Sequence, residues 1–133
     1  MGLTVVDAGI LIAVLDSSDA HHQAAQDALR QALSSGETLV LPASAYAEVL
    51  VAPFRRNVDA VAVVDSFIDA LPATVQPITR EVAYAAAQLR AQHGTRLRLP
   101  DALVVATALG LSADRLLTTD RRWPETDVRV DAV

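Results

Sequence analysis

Residues 3–14, LTVVDAGILIAV, decide the fold. Leu3, Val5 and Val6 are strand formers, Asp7 interrupts an otherwise apolar run where a strand can first end, Gly9 can loosen the turn, and 10–15 resume as an apolar helical segment. A buried strand feeding a helix is the opening half of a βαβ unit, and in open parallel sheets ligands gather outside the carboxyl ends of the strands. Asp7 stands on that rim. Taken alone it reads equally well as the cap of the following helix and as a ligand, so the rest of the chain has to separate the two.

Working outward, strands and helices alternate. An amphipathic helix covers 19–33, capped by Ser18 or Asp19, with Ala25, Ala28, Leu29 and Ala32 on one face and Gln23, Asp27 and Arg30 on the other. His21 and His22 in its first turn read as exposed helix residues rather than ligands, since no second ligand stands at helical spacing. A strand at 38–41 leads into a helix over 43–52, broken by Pro53, and another helix spans 58–71. A weak strand at 74–78 precedes a helix that Thr79 caps and Gly94 ends. Residues 102–111, ALVVATALGL, are apolar all round and predict a central buried helix; 115–120 form a strand that again ends in a carboxylate, and 128–130 suit an edge strand. The chain, 133 residues long, is therefore expected to be a single domain over 1–133, an α/β/α sandwich around a mostly parallel sheet of four to five strands.

Composition narrows the chemistry. Apolar residues make up 52% and aromatics only 4%, so the core must be built from Ala, Val and Leu. The absence of cysteine excludes disulfides, thiolate metal sites and a cysteine nucleophile. All eleven basic residues are arginine, so no step can depend on a lysine, and close pairs occur at Arg55-Arg56, Arg96-Arg98 and Arg121-Arg122. A net charge of −5 argues against general affinity for nucleic acid, but clustered arginines can still make forked phosphate contacts. Arg55, Arg56, Arg121 and Arg122 are candidates for that role. Neither a signal peptide nor a membrane segment is read from the sequence, and a cytoplasmic protein is expected.

Four acids resist a purely structural explanation. Asp7 and Asp120 end strands. Glu48 lies among Tyr46, Ala47, Val49, Leu50 and Val51, and misses the capping-box position after Ser44, which falls on Ala47. Asp101 follows Pro100 in the first turn of the central helix, where an anion also suits the helix dipole. With Glu48 and Asp101 in first turns of helices that begin at the strand rim, all four can converge. Clustered carboxylates raise one another's proton affinity unless a cation neutralises them, and a hard divalent ion such as Mg²⁺ or Mn²⁺ suits oxygen donors. Such an ion draws in phosphate and activates water, so phosphodiester hydrolysis follows. A phosphoacceptor receiver or a haloacid-dehalogenase-type phosphatase would need a lysine, and in the latter Gly9 stands where a second Asp belongs.

The ordered set VVDAGILIAVLD at 5–16, SAYAEVL at 44–50, LPDALVVATAL at 99–109 and LLTTDRRW at 116–123 resembles the PIN-domain ribonucleases and, within them, the VapC-type toxins of toxin–antitoxin pairs. The resemblance implies that Asp7, Glu48, Asp101 and Asp120 are the acidic quartet holding one or two Mg²⁺ or Mn²⁺ ions, with Thr118 as the hydroxyl of the family's T-x-D. It also implies an RNA substrate, a homodimer, and a cognate VapB-type antitoxin whose tail covers the acidic groove. One position departs: the family usually carries Ser or Thr two residues after the first Asp, and here that residue is Gly9. A missing hydroxyl there would weaken ligand orientation and leaves open a catalytically weak or inactive RNA- or protein-binding module.

Overall fold

In a computed structural model, which describes residues 2–133, the first strand is β1 (Leu3–Val6). Successive strand residues point to opposite faces, yet Thr4, Val5 and Val6 are all buried, so both faces of β1 are covered. The same holds for Leu39, Val40 and Leu41 of β2 (Thr38–Pro42) and for Leu116, Leu117 and Thr118 of β4 (Arg115–Thr118). Only the edge strands, β3 (Ala73–Gln76) and β5 (Val130–Ala132), are partly open. The sheet has the order β3-β2-β1-β4-β5 and every neighbouring pair is parallel. This is the expected α/β/α architecture with five strands.

Helices α1 (Ala8–Leu15) and α2 (His22–Ser34) join β1 to β2, and α3 (Ala43–Arg56) and α4 (Val58–Ala70) join β2 to β3. From that edge, α5 (Arg80–His93), a short 3₁₀ turn (Gly94–Arg96) and α6 (Leu99–Gly110) carry the chain back to β4, on the other side of β1. The strand order therefore reverses between β1 and β4, the kind of switch point where parallel sheets open a crevice at their carboxyl rim. The apolar 102–111 segment forms the buried helix foreseen: Ala102, Val104, Val105, Ala106 and Ala108 are all in the core.

Several boundaries differ from those read in the sequence. Pro53 does not end α3, which continues to Arg56. A proline removes only its own N–H from the ladder, and the next turn closes with Asn57 N–H donating to Pro53 O at 3.2 Å. Asn57 is the real break: extended at φ −171°, it ends α3 and caps α4 through its Oδ1, which accepts from Ala60 N–H at 2.8 Å. Neither Ser18 nor Asp19 caps α2, which starts at His22; the Asp19 carboxylate instead accepts from His21 N–H at 2.8 Å. β4 stops at Thr118 and leaves Asp120 in the following loop, while β3 and β5 sit at 73–76 and 130–132 rather than 74–78 and 128–130.

At the amino end of the sheet, Arg115 ties three strands together. Its guanidinium pairs with Glu37 at 2.9 Å and with Asp131 at 3.2 Å, and its Nε donates to Thr4 Oγ1 at 3.2 Å. The carboxyl end carries a different charge pattern.

Candidate active site

β1 and β4 run parallel with Val6 opposite Leu117, so the residues that follow, Asp7 and Thr118, emerge side by side. Asp7 N–H donates to Leu117 O at 2.9 Å, the last bond of that pairing. The Asp7 side chain does two things. Its Oδ1 accepts from Ala8 N–H at 2.9 Å, capping α1, and its Oδ2 accepts from the Thr118 hydroxyl at 2.8 Å. The Thr118 oxygen in turn accepts from Asp120 N–H at 3.1 Å, so one hydroxyl fixes the Asp7 side chain and the Asp120 backbone. Helix cap and site residue are thus one group. Burial pushes the Asp7 pKa from 3.8 up to about 6, the Asp101 and Glu48 charges add to the rise, and the hydrogen bonds from Thr118 and Ala8 oppose it.

Asp101 is the third residue of α6, at the same rim because α6 runs back toward the start of β4. Its pKa is raised by burial and then by the Asp120 charge, against the pull of Arg98. Glu48 sits in the second turn of α3, not the first, and as a residue it is exposed; cover over its carboxyl and the charge of Asp101 still raise its pKa. Asp120 behaves oppositely. Arg122 grips it through Nε to Oδ1 and Nη2 to Oδ2, both at 3.2 Å, and holds its pKa below the usual carboxylate value.

The structure therefore brings all four acids to one rim, with Asp101 electrostatically coupled to each of the others. It does not draw them together on a point: among the described residues no three His, Asp or Glu side chains stand close enough to hold one ion. Asp120 is turned onto Arg122, and Glu48 is exposed. The donor set suits such an ion. It offers only hard oxygens, and the raised pKa values of Asp7, Glu48 and Asp101 register burial and crowded negative charge that a divalent cation would relieve.

Three further residues, which the sequence reading did not assign to the site, border it: Arg98, noted there only as half of an arginine pair, Trp123 and Thr119. Arg98 lowers the proton affinity of Glu48 and Asp101, and with Thr95, Arg96, Arg122 and Trp123 it lines a cleft of about 480 Å³ that includes Asp101 and Asp120. Trp123 buries its indole Nε1 beside Asp101 and Asp120 with no hydrogen bond made to either, a donor left facing the two carboxylates. Thr119 presses its hydroxyl against Gly9. Of the candidate phosphate contacts, Arg121 and Arg122 flank Asp120, whereas Arg55 and Arg56 lie in the last turn of α3; Arg56 borders an apolar groove instead.

A family model described as PIN domain matches residues 4–129. No curated protein sequence gives a significant match. Among solved structures, VapBC2 from Rickettsia felis bound to a promoter DNA fragment superposes with a TM-score of 0.77 at 12% identity, covering 98% of both chains. VapC20 of Mycobacterium tuberculosis, a toxin that cleaves the sarcin-ricin loop, gives 0.69 at 16% identity over 85% of this chain and 86% of that one. A toxin–antitoxin complex from Klebsiella pneumoniae gives 0.65 at 22% identity over 88% and 86%.

Proposed function

The chain belongs to the PIN-domain family, and on that premise we propose that it is a Mg²⁺- or Mn²⁺-dependent endoribonuclease, the toxin of a toxin–antitoxin pair. The observation that carries this reading is the set of four carboxylates at the β1/β4 switch point, crowded and partly buried, with Asp7 in no salt bridge to any of the described residues. Asp7, Glu48, Asp101 and Asp120 would hold one or two ions. The cation, when bound, would supply positive charge to the scissile phosphate and acidify water for its attack. The chain's own residues do the rest. Thr118 holds the Asp7 carboxylate in place, α6 presents Asp101 at the cleft, and Arg96, Arg98 and Arg122 offer guanidinium forks to RNA phosphates beside the acids. Arg122, which now holds the Asp120 carboxylate, would be free to take a phosphate if Asp120 turned to a cation.

The surface supports partners. Phe54, Val58 and Val63 on α3 and α4 are 63%, 76% and 67% exposed, apolar side chains that a second copy of the chain would cover. Ile12, Leu15, Val49, Ala52, Pro53 and Val64 line a groove that suits apolar side chains of a cognate VapB-type antitoxin. That the similar structures include toxins bound to antitoxins supports this assignment. No helix among the described residues is long and apolar enough to cross a membrane.

The test is cleavage of RNA by the purified, antitoxin-free protein with Mg²⁺ or Mn²⁺ and with EDTA. Cleavage that needs the metal and is lost in Asp101→Asn is expected. Intact RNA under every condition would overturn the enzymatic reading and leave a binding module. Removing charge at Arg121 and Arg122 should weaken RNA binding and flatten the slope of its salt dependence by about one for each phosphate no longer held. The same change at Arg55 and Arg56 measures whether the groove at the far end of α3 also meets RNA.

A further inference from the structure

A second hollow borders the acids, on the β5 side of the site. The chain leaves β4 at Thr118 and returns as β5 at Val130, and between the connecting loop and that edge strand lies a space of about 520 Å³. Asp120 and Trp123 line both this space and the arginine-lined cleft, so the two hollows meet along the segment that carries the fourth acid. Its floor is apolar. Val130 and Ala132, two apart on β5, share one face and line it, while Asp131 between them is held by Arg115 and Arg129. Pro124 and Val128, both buried, complete the floor. The rim is polar: Glu125 and Thr126 stand there with Arg121, which is exposed and in no salt bridge with any described residue.

These features together select an occupant. An apolar floor with an aromatic side chain beside it suits a flat apolar ring, hydrogen-bonding groups at the rim suit a ring with a polar edge, and an unpaired guanidinium suits an attached anion. A nucleotide joins all three in one unit, and the volume falls in the range of roughly 300–1,000 Å³ usual for small-ligand sites. An apolar peptide side chain would fill the floor but leave Arg121 and the rim unanswered. Position agrees with chemistry: RNA whose scissile phosphate lies at the acids has its next nucleotide beside Asp120, where this hollow opens. We propose that the hollow is a nucleobase subsite, in which single-stranded RNA turns the base flanking its scissile phosphate out of the stack and sets it against Trp123 and the β5 face, with Arg121 on that nucleotide's phosphate. Glu125 and Thr126 stand where the edge of the base would meet them.

The inference rests on the reading of RNA as substrate, and binding in EDTA separates it from catalysis. The probes are short single-stranded oligomers of A, of C, of U and of alternating G and U, compared with an abasic ribose–phosphate chain of the same length and charge. At least one base-bearing oligomer should bind about 5- to 100-fold tighter than the abasic chain, and its binding should change the emission of Trp123, the sole tryptophan. Ala132→Leu fills the hollow from its floor; it should remove that advantage and leave the affinity for the abasic chain and the urea midpoint near those of the wild type. Val130→Leu enters from the same face and is the second filling variant. Arg121→Ala should weaken the base-bearing and abasic chains by a similar factor, because it meets the phosphate. The subsite is overturned if the abasic chain binds as tightly as every oligomer with bases, if no oligomer binds, or if the advantage survives in a filling variant that folds as wild type does. Cleavage of RNA with equal affinity for the abasic chain would keep the enzyme and lose the subsite; base-dependent binding without cleavage in Mg²⁺ or Mn²⁺ would do the reverse.

Discussion

Replacing Asp7 by asparagine should make the metal-free protein more stable at pH 7 while removing the proposed activity. In the fold the pKa of Asp7 rises from 3.8 to about 6, chiefly through burial. Between those two pH values the folded state binds more protons than the unfolded chain. Stability therefore falls as pH rises through that window, and the full penalty is present above about pH 6. A rise of about two pH units corresponds to roughly 3 kcal/mol against the charged carboxylate at pH 7. Asparagine is as good a helix cap as aspartate, so the bond from Ala8 N–H survives. The Thr118 hydroxyl, which also accepts from Asp120 N–H, must share an amide in place of a carboxylate, at a cost of about 1 kcal/mol. The net expectation is a gain of about 1–2 kcal/mol in urea unfolding at pH 7 in EDTA, shrinking to nothing near pH 4. Adding Mg²⁺ should reverse the order, because only the wild type gains stability by binding it. A variant that is less stable than wild type by the same amount at both pH values in EDTA would refute the argument.

At the other end of the sheet, Arg115→Ala leaves Glu37 partly buried without its cation and Asp131 held by Arg129 alone, and should cost about 2 kcal/mol in urea unfolding while metal-dependent cleavage at low temperature is kept. Trp123 is the sole tryptophan, and its buried Nε1 lies beside Asp101 and Asp120. Its fluorescence should therefore change on titration with Mg²⁺, and Asp101→Asn should abolish the response. Constant emission while calorimetry shows Mg²⁺ binding would place the ion elsewhere.

Much of the fold is visible in local sequence because burial on both faces leaves a local mark. Strands β1, β2 and β4 each carry two or three adjacent aliphatic residues, α6 is apolar all round after its first turn, and α2 carries a clear polar face. The four acids stand out for the same reason: each interrupts or adjoins an apolar segment where a charge needs a cause. Boundaries are less legible. Pro53 reads as a stop, but a helix held by its neighbouring turns can absorb one lost N–H, and it is Asn57 that ends α3.

What the sequence by itself determined is the alternation of strand and helix, the Ala/Val/Leu core, and the presence of acids at strand ends and helix starts. Those follow from periodicity and residue type, which act over a few neighbours. Only the tertiary structure decided that β4 pairs with β1, and with it the bond from Thr118 to Asp7 across 111 residues of chain. The same pairing brings the Thr119 hydroxyl up against Gly9. Strand order and register are fixed by the packing of distant segments, so an interaction that depends on them has no signature at either residue alone.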